Sequence, residues 1–238
     1  LAALVAKVDT LTLTDSLADT DGAYTVTGTT STAAEVNKLA SLTAGVVTAT
    51  IATGAAAGMA TAITAVDAND TITFEVSDNT AITAADWSAL VTKVDTLTLT
   101  NSSANAAGAY TITGTTSTAA EVNKLASLTD GAVTATITTG AVKATLDAIT
   151  AVTAADTITF ITDDTTVNAS DLVNLAAKVD TADATAYATV GTITQTDAIT
   201  NVIAALAIKT DAAVEVGTVS AVDLNSVAAD GNAGNITA

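Results

Sequence analysis

The side chains of this chain that could do chemistry are carboxylates, and several stand in polar loops. Asp15, Asp19 and Asp21 lead up to Gly22. Spaced carboxylates with a turn glycine are the kind of arrangement that surrounds a hard cation such as calcium. Asp78 beside Asn79, and Asp163 beside Asp164, are further loop clusters of the same donor chemistry. Calcium is thus the cofactor the sequence nominates, with Asp15, Asp19, Asp21, Asp78, Asp163 and Asp164 as weak candidate ligands. The chain tests the first loop itself, because the loop is duplicated. The counterparts of Asp15, Asp19, Asp21 and Gly22 are Asn101, Asn105, Ala107 and Gly108, so most of the charge is lost while Gly and the following Ala-Tyr are kept. A surface turn accounts for that better than a metal loop. Neither a full EF-hand loop nor a glycine-rich nonapeptide repeat occurs.

Catalysis has little to work with. The chain has no His and no Cys, and all seven basic residues are Lys. Proton transfer or nucleophilic attack would fall to Asp, Glu, Lys, Ser or Tyr. Those residues recur with the repeat instead of gathering once, so no enzyme is expected. Lys38 with Ser41, and Lys124 with Ser127, are three apart on expected helices and read as surface residues. Lys precedes Asp by two places at Lys7/Asp9, Lys93/Asp95, Lys178/Asp180 and Lys209/Asp211. Each Lys falls at an expected helix end, where a cation favours the negative pole and the last carbonyls. Trp87 aligns with Leu1 and Leu172, which makes it a core residue and not a sugar-stacking one.

What positions these residues is a tandem repeat. Residues 1–79 recur at 87–165 with a constant offset of 86, and 55 of the 79 aligned positions are identical. The match is unbroken from Thr27 to Thr43 and from Thr113 to Thr129. The expected organisation is repeat 1 over 1–86, repeat 2 over 87–171, and a degenerate third repeat or cap over 172–238. Leu1 aligns with Trp87, behind the helix start Thr83-Ala84-Ala85-Asp86, so the chain reads as beginning inside a helix of a longer protein.

Composition narrows the class. Half the residues (49%) are hydrophobic but only 3% are aromatic, so the core must be thin and built from Ala, Val, Leu and Ile. A formal charge of −18 opposes nucleic acid and anionic lipid. Charged residues are 13% against about 25% in ordinary domains, with Thr as the main polar replacement. Thr, Asp or Gly interrupts every apolar stretch short of the roughly 18 residues a membrane span needs, so no membrane insertion is expected of this segment.

Five helix starts share one pattern, a capping residue with an acid three places on. They are Thr32/Glu35, Thr83/Asp86, Thr118/Glu121, Asn168/Asp171 and Ser220/Asp223, with Thr194/Asp197 a less regular sixth. Val36, Leu39, Ala40 and Leu42 form a helical stripe behind Glu35, repeated by Val122, Leu125, Ala126 and Leu128. Two more helices are expected at about 55–66 and 141–152. Between helices the period switches to two: Leu11/Leu13, Val47/Ala49/Ile51 and Ile72/Phe74 alternate with Thr, and the second copy repeats all three. Ala23–Thr27, Ala109–Thr113 and Ala212–Val216 read as additional strands. Strand starts at Val46, Asp70 and Val94 are 24 residues apart, and helical crossovers favour parallel pairing. The expected fold is α/β: a repetitive β/α solenoid with a parallel sheet on one side and short helices on the other. A unit of that length is too small for a core of its own.

The stretches Gly28–Thr43 and Gly114–Thr129, GTTSTAAEVNKLASLT with flanking TxT strands, resemble the Ala/Thr/Asp-rich tandem repeats of giant secreted bacterial surface proteins, cyanobacterial ones included. The resemblance carries over no functional residue. It implies an extracellular or cell-surface structural segment of a fibre, sheath, surface layer or adhesin stalk. The unpaired end of a parallel sheet adds the expectation that the chain is its own partner, end to end. The alternative is a calcium-stabilised adhesin module that binds a glycan or cell surface. The Thr face is also similar to that of ice-binding β-solenoids, but the helices, Glu75 and Glu215 speak against that role.

Overall fold

Alternation of Thr with Val, Ile, Leu or Phe makes strands here because a β-branched polar residue suits the wet face and an apolar one the dry face. In the computed structural model, residues 23–27, 30–78, 81–100, 109–180, 186–195, 198–229 and 234–237 are described. They are mixed α/β, with eight helices and every described strand pair parallel. They fall into two compact units, 1–115 with 127–131 and 116–126 with 132–238.

The first unit contains β1 (Tyr24–Thr25), α1 (Ala33–Ala40), β2 (Val47–Gly54), α2 (Ala56–Ala62), β3 (Thr71–Val76), β4 (Ala81–Thr83), α3 (Ala84–Lys93), β5 (Thr96–Leu99) and β6 (Tyr110–Thr113). Strands β1, β2, β3 and β5 lie side by side in that order, while β4 pairs with β6. The register is direct: Ile51 faces Phe74, which faces Leu97, and these three buried side chains form one layer of the core. The threonines between them stack as well, in the rows Thr25–Thr48–Thr71 and Thr50–Thr73–Thr96 on the wetter face. Val36, Leu39, Met59, Trp87 and Leu90 close the core from the helices, each at most 5% exposed.

The second unit contains α4 (Ala119–Ala126), β7 (Val133–Thr136), α5 (Val142–Ala148), β8 (Thr157–Thr159), β9 (Thr166–Asn168), α6 (Ala169–Ala176), β10 (Thr192–Thr194), α7 (Ile199–Ile208), β11 (Ala213–Glu215), α8 (Ala221–Ala229) and β12 (Ile236–Thr237). Strands β7 and β8 pair, and β9, β10, β11 and β12 lie in sequence order. The core repeats the first unit's: Ala135 faces Ile158 as Ala49 faces Ile72.

Several expectations need correction. The strands do not make one sheet even within the first unit, because β4 pairs away from β3 and β5. Strands β4 and β9 were not foreseen as separate elements. Their last residues, Thr83 and Asn168, are also the caps of α3 and α6. Helices α2 and α5 are shorter than expected; each ends at an isoleucine (Ile63, Ile149) with ψ 51°. Ile63, Val66, Ile149 and Val152 are still buried, but in the turn after the helix. Reciprocal capping boxes form at Thr32/Glu35 and Thr118/Glu121, where the longer Glu reaches the cap's N–H. At Thr83 and Ser220 the shorter Asp meets the cap hydroxyl instead. The irregular sixth start fails: Thr194 belongs to β10, and Ala198 precedes α7 without a side-chain cap. Leu11/Leu13, Lys7/Asp9, Asp15, Asp19 and Asp21 lie outside the described residues.

Candidate functional site

Helices α2 and α5 start at alanines, Ala55 and Ala141, which have no side chain to satisfy the first N–H groups. The missing acceptor comes from the next strand's end. Asp78 Oδ2 accepts from Ala56 N–H at 2.6 Å, and Asp164 Oδ2 accepts from Val142 N–H at 2.7 Å. Asp78 and Asp164, two of the six candidate calcium ligands, are thereby engaged as helix caps. Asp163 sits beside the second, its N–H donating to Gly140 O at 3.3 Å. Among the described residues no group of three or more acidic side chains is gathered for a metal. Replacing Asp78 or Asp164 by Ala should cost about 1 kcal/mol. Thermal melts in calcium and in chelator should show the same loss.

A second tie joins strand starts. Asp70, 7% exposed, accepts from Val47 N–H at 2.8 Å and from Asp67 N–H at 3.0 Å. Asp156 repeats this on Val133 and Thr153, at 2.7 and 2.8 Å. Asp95 carries it one strand further, accepting from Ile72 N–H at 2.9 Å. The first N–H of a strand would otherwise be a buried donor without an acceptor.

A third tie joins helix ends. Asn37 of α1 accepts from Ala65 N–H at 2.6 Å and donates to Thr64 Oγ1 at 3.3 Å; Asn123 of α4 does the same to Ala151 and Thr150. Lys93 Nζ donates to Ile63 O at 2.8 Å, and Lys178 Nζ donates to Ile149 O and Val152 O at 2.9 and 3.0 Å. These lysines do cap helix carbonyls, but those of the preceding helix and not their own. Lys93→Met should keep the stem packing and lose the bond, lowering stability by about 1–2 kcal/mol. Lys178→Met should cost more than Lys93→Met. A shift in urea midpoint with unchanged m would report both. Ser41 Oγ donates to Lys38 O at 2.7 Å, which ends α1 and leaves no Ser/Lys pair there.

Lys143 and Asp147 form an (i, i+4) ion pair on α5 with side chains 62% and 60% exposed. The hydrogen bond to Asp147 is the main cause that holds Lys143 above the usual lysine range; desolvation opposes it, and the charges of Asp147 and Asp171 add to it. A raised lysine stabilises the fold at neutral pH, and the contribution disappears as pH climbs through its folded value. Exposure keeps it small.

The first unit also has an apolar cleft of about 250 Å³ lined mainly by Ile51, Gly54, Gly58, Met59 and Phe74. A Cβ on Gly58 would meet nothing within 4 Å, and the second copy has Ala144 there. Gly58→Ala should therefore raise stability by about 0.5–1 kcal/mol, read as a higher melting temperature. The cleft contains no acid, base or nucleophile beyond Thr32. Trp87 is fully buried.

Asn37 and Asn123 were not singled out from the sequence. The signal was their identity across the 86-residue offset together with the identical Thr64-Ala65 and Thr150-Ala151 they reach. No helix among the described residues is long and apolar enough to cross a membrane. No protein-family model, no curated protein and no solved structure matches the chain.

Proposed function

We propose that this chain is a structural repeat segment of an extracellular bacterial fibre, sheath, surface layer or adhesin stalk. Its units stack as a β/α solenoid and associate end to end. One observation carries the reading: the distinctive polar side chains are used on the backbone of a neighbouring element, and the use is duplicated. Asn37, Asp70 and Asp78 recur 86 residues on as Asn123, Asp156 and Asp164, with equivalent acceptors and donors. A repeat that satisfies its neighbour's backbone is suited to extension, because each added unit supplies caps to the one before it. Parallel pairing of successive strands and the thin aliphatic core support the same reading.

The test is assembly. Sedimentation velocity and negative-stain electron microscopy over a concentration series should show linear oligomers that lengthen with concentration. A chain that stays strictly monomeric overturns the end-to-end role.

A further inference from the structure

We propose that the cleft of the first unit binds a small organic cation with an apolar body, an alkyl- or arylalkylammonium ion, with the apolar end inward and the charge at the rim. This goes beyond the proposed structural role and does not depend on it.

Size and lining set the body of the ligand. Ile51, Met59 and Phe74, each at most 3% exposed, form the floor of a cleft of about 250 Å³. An apolar cavity of about 150 Å³ is enough for benzene, so one ring with a short side arm is of fitting size. The Met59 thioether and the Phe74 ring are soft, polarisable partners for such a guest.

The repeat supplies an internal comparison. Of the nine residues lining the cleft, six are identical 86 places on, and the other three change in one direction. Ala52, Gly58 and Met59 become Thr138, Ala144 and Thr145. The second copy thus has larger side chains at two wall positions and a hydroxyl in place of the floor thioether. Its Thr138 hydroxyl is tied to Ser117 O at 3.1 Å. Gly58 is the less stable choice inside a helix, and a Cβ there would meet nothing within 4 Å. Packing alone therefore gives no reason for glycine at this position, whereas room for a guest does.

Charge selects the end group. Among the described residues no lysine lines the cleft, and α2 has no charged residue. Two carboxylates stand at the rim. Glu35 Oε2 accepts from the N–H of Thr32, a lining residue, at 3.0 Å; Asp78 Oδ2 accepts from Ala56 N–H, next to lining Ala55, at 2.6 Å. A carboxylate has acceptor capacity beyond one N–H. The second copy keeps both acids, as Glu121 and Asp164, but has a cation of its own, Lys143, where the first copy has Ala57. With a formal charge of −18 on the chain, an anionic guest such as a fatty acid is repelled and a cation attracted.

Met59 is the only methionine of the chain, so isotopic labelling of the methionine methyl gives a single NMR resonance, from the cleft floor. The probes are benzylammonium, benzyl alcohol and benzoate, which share the ring and differ in charge. Benzylammonium should shift the resonance saturably, with a dissociation constant of about 1 mM. Benzyl alcohol should bind more weakly and benzoate not detectably. The double variant Ala52→Thr, Gly58→Ala installs the second copy's wall and should weaken benzylammonium binding by roughly tenfold or more. Its melting temperature should be no lower than the parent's, which separates loss of the site from loss of the fold. Asp78→Asn keeps an acceptor for Ala56 N–H and should narrow the preference for benzylammonium over benzyl alcohol. No saturable shift with any probe overturns the site, as does undiminished binding by the double variant. Benzyl alcohol or benzoate binding as tightly as benzylammonium overturns the cationic assignment.

Discussion

Trp87→Ala is expected to lower the stability of the first unit by about 3–5 kcal/mol, the largest effect of any single truncation considered for this chain. Trp87 is fully buried in α3, and the chain contains no other tryptophan to share the load. A core built mostly from Ala, Val, Leu and Ile has few large side chains able to shift into the void. The lost transfer energy and the cavity therefore add. Total stability of an ordinary domain is about 5–15 kcal/mol, so the loss is a large fraction of the whole. Trp87→Leu installs the residue that Leu172 supplies one repeat later and should cost clearly less. Urea titration followed by circular dichroism distinguishes the two: both midpoints fall, with alanine's fall the greater. An alanine variant as stable as the parent would mean the indole is not part of the core.

Asp70→Ala should cost about 2–3 kcal/mol, although it removes one small polar side chain. The carboxylate bridges Val47 N–H at the start of β2 and Asp67 N–H in its own turn, and only 7% of the residue is exposed. Truncation leaves Val47, itself fully buried, with a backbone donor and no acceptor. Asp70→Asn retains one acceptor oxygen and should recover part of the loss. Asp156→Ala makes the same measurement in the second unit, where Val133 N–H is the donor. Amide hydrogen exchange gives a direct readout, since Val47 should lose protection in the variant. Unchanged stability at both positions would reduce the strand-start carboxylates to surface residues and weaken the case for extension by mutual capping.

Much of the local structure was legible in the residues. Among the described residues the Thr-alternating runs became strands, and TAAE at Thr32 and Thr118 became helix starts with the expected reciprocal bonds. These features depend on neighbours within four residues, where spacing and geometry correspond directly. Where a contact spans 22 to 30 residues, the sequence was silent about its partner. Asp78 and Asp164 looked like free loop carboxylates because their donors, Ala56 and Val142, are 22 residues away. Lys93 was placed correctly at a helix end, yet its acceptor is Ile63, 30 residues earlier. Helices α2 and α5 were overextended because the apolar period continues past them through Ile63 and Val66, and Ile149 and Val152. Asn37 and Asn123 hold the backbone just beyond, at Ala65 and Ala151, out of a helical path.

By itself, then, the sequence determined the period of 86, most of the duplicated strands and helix cores, and the lack of any imidazole, thiol or guanidinium to build a reactive centre. Tertiary structure alone decided which strand lies beside which, that β4 leaves its neighbours to pair with β6, and that the candidate metal ligands Asp78 and Asp164 serve as caps. The reason is physical. Side-chain periodicity records which face a residue shows to the core, but the partner of a buried N–H is set by whichever carboxylate or amide the packed chain brings within hydrogen-bonding distance.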